Sequence, residues 1–314
     1  MKKRILLFIV VVILTTSTGF TQWISLDKNT IPDSKPDVQL IKDDASGSVI
    51  RINLPGFRLN EFKDQGKTYQ RIDIGESAGK ISEAGKPDIP YIAKILAVPN
   101  QGTISVEVLE VGETRVIKGV NIPPARKSWI EGKPESPYIE DDAVYQTENV
   151  YPEVRVKVED PMIFRDFRIA RVSIFPIRYS PERQEIEAVR SITVRVKYGG
   201  GVGVNPKLTP DKPIAPSFAK LYRSIIFNYK EVLQREYSGR EEGYDIMLCI
   251  MPDSFATTFQ QYAEWNHKTG TYIHVTKFSE IGASGNNPTA VRDYILSTYN
   301  TWEIPPTHVL LVGD

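Results

Sequence analysis

The sequence predicts two bodies: an antiparallel β-sandwich over residues 23–200, then the opening of a doubly wound α/β domain over residues 244–314. A linker carrying an amphipathic helix, residues 201–243, joins them. Three observations support this reading. Apolar and polar residues alternate with period two from Asp37 to Tyr198, as in strands with one buried face. A Gly- and Pro-rich stretch then breaks the pattern at residues 198–216. After Gly243 the order becomes β-α-β-α-β, opening on a strand that is apolar throughout.

Residues 1–22 read as a secretory leader. Lys2, Lys3 and Arg4 form a positive start, residues 5–14 an apolar run, and residues 15–22 a small, polar cleavage region. The alternative is a membrane anchor, but an apolar run of about ten residues is half of what a bilayer crossing needs. No cysteine follows the run, which argues against a lipid-anchored form. The implied location is secreted, extracellular or on a bacterial cell surface, with no transmembrane segment after cleavage. Residues 23–36 are polar and Pro-containing and are expected to be an irregular lead-in.

The sandwich strands are read from SVIRINL, QRIDIG, TISVEVLEV, TRVIKGV, EVRVKVED, RIARVSIFPIRY and SITVRVKY. In the last of these, Ile192, Val194 and Val196 face one way, and Thr193, Arg195 and Lys197 the other. Gly and Pro punctuate the runs at sandwich-like intervals. No helix of normal length is predicted here. The segment YGGGVGVNPKLTPDKPIAP is taken as a linker. Residues 217–237 are taken as one helix, with Ser217 as N-cap and Phe218, Leu221, Ile225, Tyr229 and Val232 as its apolar stripe. A polar joint, residues 238–243, follows.

The α/β part opens with the strand YDIMLCIMP. Its first helix is expected to have Asp253 or Ser254 as N-cap, Phe255, Phe259, Tyr262 and Ala263 on one face, and Gly270 as its stop. TYIHVTKFSEIG supplies the second strand. A second helix starts near Pro288 with Val291, Tyr294, Ile295 and Thr298 as its stripe. THVLLVGD is the third strand. A segment of about 70 residues is small for a domain, so it reads as a truncated domain that ends inside its sheet.

Composition excludes some functions. Lys+Arg and Asp+Glu both number 39, and the pI is near 6.9, which argues against nucleic-acid binding. The single cysteine, Cys249, lies within an apolar strand, where a thiol is buried and inert. His267 sits near a helix end, His274 in the second strand, and His308 at the amino end of the third. None is placed to pair with Cys249. There is no G-x-S-x-G, HExxH, paired cysteine or EF-hand loop, and YGGGVGVNP lacks the features of a phosphate loop. Asp314 falls just past a strand's carboxyl end, where doubly wound sheets meet ligands and metals; it is either a site residue or a turn aspartate.

The stretch YDIMLCIMPDSF…YAEWNHKTG…VTKFSEIG…VRDYILSTYNTWEIPPTHVLLVGD resembles gingipain-type cysteine peptidases. GKPDIPYIAKILAVP is the best match to that family's propeptide. One departure is Asn266, where the family has Lys after the Trp. The resemblance implies a caspase-like α/β fold, a secreted cysteine endopeptidase precursor acting on protein or peptide substrates, and a prodomain that packs on its own catalytic domain. It also implies that calcium binds near the crevice, to which Asp314 could belong. The family's catalytic His and Cys motifs are absent before Asp314, so no catalytic or cofactor residue is assigned, the chain is expected to be inactive as given, and its enzyme status stays open. Arg126 and Lys127, in a Pro-rich loop, are the candidate blocking residues. Arg235 and Arg240 are the candidate processing sites near the polar joint. The rival reading is a secreted, non-catalytic adhesion or assembly module with a degenerate peptidase-like part.

Overall fold

The computed structural model describes residues 21–313 apart from 29, 76–77, 81–82, 237–242 and 284–286. Residues 1–20 of the leader, Arg240 and Asp314 therefore lie outside the described residues.

The first body is built from β1 (Thr21–Ser25), β2 (Asp37–Asp44), β3 (Gly47–Asn53), β4 (Gly56–Asp64), β5 (Lys67–Asp73), β6 (Ala78–Lys80), β7 (Pro90–Val98), β8 (Ile104–Val111) and β9 (Thr114–Lys118). A single helical turn, α1 (Asp142–Tyr145), precedes β10 (Val156–Val158), β11 (Met162–Phe164), β12 (Phe167–Ile174), β13 (Ile177–Ser180), β14 (Glu185–Val189) and β15 (Ser191–Tyr198). All pairings between these strands are antiparallel. The sheets run β1-β4-β5, β10-β12-β7-β6, β13-β14-β9 and β2-β3-β15-β8, and their inner faces meet in one core.

The alternation in β15 shows why this sequence makes strands. Ile192, Val194 and Val196 are fully buried, while Arg195 and Lys197 are exposed and both pair with Glu107 on β8. Burying one such aliphatic side chain contributes roughly 1.5–3 kcal/mol. Thr193, on the outer face, is covered by Arg51, whose Nε donates to its hydroxyl at 3.1 Å. β1 corrects the sequence reading at the start. Thr21 and Gln22, assigned to the leader, and Trp23–Ser25, assigned to an irregular lead-in, pair along β4.

The Gly/Pro stretch after β15 is not a free linker. Arg168, on β12, is fully buried, and its guanidinium donates to the carbonyls of Pro99 (2.8 Å), Gly102 (3.0 Å), Val204 (2.7 Å) and Asn205 (3.1 Å). The backbones approach so closely that a Cβ on Gly203 would sit 1.9 Å from the Gly102 oxygen. Glycine here permits close packing rather than flexibility. Lys207, also buried, donates to Asp211 at 2.6 Å and to the Thr209 carbonyl at 3.0 Å.

The expected single helix is two: α2 (Pro216–Ile225) and α3 (Tyr229–Glu236). Between them the chain leaves the helix to bond β7. Phe227 N donates to Ile95 O at 2.8 Å, and the fully buried Asn228 side chain bonds both Ala97 N and Ala97 O. The cap of α2 is Ala215, with Pro216 at the first position; Ser217 instead donates its hydroxyl to Asp245. The buried stripe is Ala219, Tyr222, Ile226, Tyr229 and Val232, packed on Phe167 and Ile169 of β12. Leu221, predicted on that stripe, is exposed.

The second body contains β16 (Ile246–Met251), α4 (Asp253–Lys268), β17 (Tyr272–Lys277), a 3₁₀ turn (Phe278–Ile281), α5 (Pro288–Thr301) and β18 (His308–Leu311). The sheet order is β17-β16-β18, all parallel. β16 is central and buried on both faces, which explains its unbroken apolar run. The N-cap of α4 is Pro252, not Asp253 or Ser254, because the Asp253 carboxylate is taken by Ser279. Phe255 and Tyr262 are exposed, so the buried face of α4 is narrower than expected and centres on Ala263, with Phe259 partly buried. Gly270 follows the helix at φ 97°, where a residue without Cβ is favoured.

Candidate functional site

The chain runs from β16 to β17 on one side, then crosses to β18 on the other. This reversal of strand order opens a crevice beyond the carboxyl ends of β16 and β18. A cavity of about 670 Å³ lies there, lined by Ile250, Pro252, Phe278, Val291, Ile295 and Leu311 among others. Among the described residues its lining is apolar except for Arg292, which is bonded to Asp293. Asp253 stands at the crevice edge. Its carboxylate accepts from Ser279 N at 3.2 Å and from the Ser279 hydroxyl, which hold it below the usual carboxylate range. It ties the start of α4 to the turn after β17. The crevice is thus a shaped scaffold, and the described residues bring no acid, base or nucleophile into its lining.

The sequence-predicted residues fall as follows. Cys249 is fully buried on β16, and burial pushes its thiol up to about 11. His267 stacks on Tyr272 with ring centroids 5.0 Å apart, and its Nε2 lies 3.2 Å from Ile273 O. His274 meets Trp302 edge-on at 4.7 Å. His308 is at the amino end of β18, its Nδ1 2.9 Å from the Thr307 hydroxyl. The structure brings none of the three to Cys249. Among the described residues no group of three or more His, Cys, Asp or Glu side chains could hold a metal ion. Asp314, the residue expected near a calcium site, lies outside the described residues.

Arg126 and Lys127 separate. Arg126 is half-buried, with its guanidinium 3.9 Å over the Tyr138 ring and paired with Glu135 and with Asp64 (3.6 Å). Lys127 is exposed. Arg235 lies on α3, and its guanidinium pairs with the fully buried Asp43 carboxylate at 2.5 Å. Proteolysis requires extended, accessible chain, whereas Arg235 is helical and ion-paired.

Two residues that sequence reasoning passed over connect the bodies. Lys212 donates to the carbonyls of Tyr299 (3.0 Å), Asn300 (2.9 Å) and Trp302 (2.6 Å). Arg165, at the tip of the β11–β12 hairpin, donates to Pro306 O at 3.2 Å and packs over Phe218 at 4.1 Å. A two-residue turn between Phe164 and Phe167 was the legible signal for the hairpin; nothing in the sequence marked its target.

Comparisons with known proteins match both bodies. The family model Propeptide_C25 covers residues 28–232, and the model for Peptidase family C25 covers residues 241–314. Gingipain R2 of Porphyromonas gingivalis is 25% identical over 283 residues, covering 89% of this chain and 37% of that protein. The chain thus spans little more than a third of this relative's length. The complex of Porphyromonas gingivalis RgpB pro- and mature domains aligns with a TM-score of 0.54 at 23% identity, covering 61% of this chain and 97% of that one. A structure addressing the zymogenic latency of gingipain K from Porphyromonas gingivalis aligns with a TM-score of 0.50 at 20% identity, covering 58% and 100%. At these identities the structural likenesses establish the fold alone.

Proposed function

The chain belongs to peptidase family C25, with that family's propeptide over residues 28–232 followed by its peptidase domain from residue 241, and on that premise we propose that it is the latent front part of a secreted cysteine endopeptidase precursor. One observation carries the reading. The two family matches meet across residues 233–240, from the last turn of α3 toward β16, with the sandwich body before them and the parallel sheet after. The sandwich is then the prodomain and packs on its own peptidase unit. The substrates are proteins or peptides, and the leader directs the protein out of the cell.

Processing falls in the joint at 237–242, with Arg240 as the candidate residue. The helical, ion-paired setting of Arg235 favours this placement. Of the loop cations, Lys127 is the better candidate for blocking a cleft. Arg126 braces the loop against Tyr138, Asp64 and Glu135, which leaves Lys127 at the surface. Cys249 has no part in catalysis, because a buried thiol held protonated is not a nucleophile.

The test uses the full-length protein. N-terminal sequencing of the processed form is expected to start within residues 238–243, and peptide cleavage is expected to be abolished by thiol alkylation yet retained in Cys249→Ala. Absence of thiol-dependent cleavage from the processed form, or its loss in Cys249→Ala, would overturn the reading.

A further inference from the structure

The two helices of the peptidase unit end differently. α4 carries its own cationic last turn, His267 and Lys268, and stops at Gly270 with φ 97°. α5 has no basic residue in its last turn, and its C-cap, Trp302, is extended. The final carbonyls of a helix have no partner within it and carry the negative end of its dipole. A cation from outside α5 meets that need. Three Lys212 hydrogen bonds go to the α5 terminus, at Tyr299, Asn300 and Trp302.

Arg165 grips the same connection four residues on, at Pro306. It does so from an unusual backbone, a non-glycine residue at φ 50°. That conformation is the one a two-residue hairpin turn requires, so the turn fixes the direction in which the Arg165 side chain leaves the backbone. The guanidinium is packed between Phe218 at 4.1 Å and Tyr299 at 5.4 Å, one ring from each side of the joint. Its side chain is 18% exposed. Both donors precede residues 237–242, and all four carbonyl acceptors follow them.

We propose that Arg165 and Lys212 form a carbonyl clamp by which the prodomain caps helix α5 of the peptidase unit, and that this clamp keeps the two parts associated after the joint between them is cut. The partner is the end of α5 with the turn into β18, recognised through main-chain oxygens. Cleavage of the joint is then a necessary but insufficient step, and separation of the prodomain leaves the end of α5 to find a new cap. The proposal rests on the reading of 237–242 as the processing joint.

The test replaces residues 238–241 of the 314-residue chain with the recognition sequence of a site-specific protease. The chain is cut with that protease and its parts are followed by gel filtration. The cut parent is expected to co-elute. Lys212→Met is expected to weaken association about tenfold, and Lys212→Met with Arg165→Gln about a hundredfold, on the scale of lost charge-assisted hydrogen bonds. Circular dichroism of the uncut chains checks that each variant folds. If the double variant fails to fold, Lys212→Met alone is read by amide exchange over 302–308 in the uncut chain, where exchange at least about tenfold faster is expected on the loss of a helix cap. Dissociation of the cut parent, co-elution of the cut double variant at low concentration, or unchanged exchange in Lys212→Met each overturns the clamp. Because an added protease makes the cut, lack of peptidase activity in the full-length protein would sink the functional reading and leave this result standing.

Discussion

Within this chain the prodomain closes its own core, whereas residues 244–313, the start of the peptidase unit, bury fewer side chains among themselves. Among the described residues, 26 buried side chains form one cluster inside the sandwich, whereas the cluster between β16, β17 and α4 has four: Cys249, Met251, Ala263 and Ile273. Even the long stretch after β15 is drawn into the prodomain, by Arg168 and Lys207. In the peptidase unit, β18 keeps Val309 and Leu311 exposed, and α5 takes its terminal cap from Lys212. Antiparallel strands joined by short turns bury a face locally. A parallel sheet needs crossovers and coverage on both faces before its strands are protected.

The strongest way to break this comparison is to remove the strap that completes the prodomain. Arg168→Ala leaves four carbonyls, the buried Gly102 oxygen among them, without their donor and empties the space of a large, fully buried side chain. The expected loss is about 3–5 kcal/mol of prodomain stability, measured by chemical denaturation. An unchanged unfolding midpoint would mean that the stretch after β15 is a loose linker after all.

Reactivity of Cys249 sharpens the other side of the comparison. The thiol is fully buried and raised to about 11, so its thiolate fraction at pH 8 is small. Native alkylation is expected to be about a hundredfold slower than that of an exposed thiol, rising to the free rate in denaturant. Rapid labelling of the native chain would show that β16 opens readily and that the parallel sheet is weaker still than its small core implies.

The fold was legible where one periodicity ruled. β15 could be read residue by residue because its two faces have opposite environments, and β16 because both of its faces are buried. The break between α2 and α3 was not legible. Residues 217–237 keep a helical spacing, and only the tertiary bonds from Phe227 and Asn228 to β7 override it. Asp253 looked like a helix cap because aspartate favours that place; its partner, Ser279, lies 26 residues away. The crevice could be located from strand order alone. The clamp could not, since Lys212 and Arg165 bind main-chain oxygens, which every residue carries.

Acidification offers the mildest test, and it reads the peptidase unit where the clamp holds it. His274 is half-buried, and burial pushes its imidazole below the ordinary value of 6.5, while Glu280 pulls the other way. A histidine depressed in the folded state gives its full contribution above the unfolded value. As pH falls below about 6.5, the unfolded chain takes up the proton first, so stability is lost on the way down through the folded value. The Trp302 ring lies 4.7 Å from this imidazole, and the Trp302 carbonyl is held by Lys212, so its fluorescence reports on both. The Trp302 signal, isolated by comparison with Trp302→Phe, is expected to titrate with a midpoint below 6.5 and to lose that transition in His274→Gln. The unfolding midpoint of the peptidase unit should fall over the same range while that of the prodomain does not follow it. A midpoint above 6.5 would mean that Glu280 outweighs burial, and acid would then tighten the unit instead of loosening it.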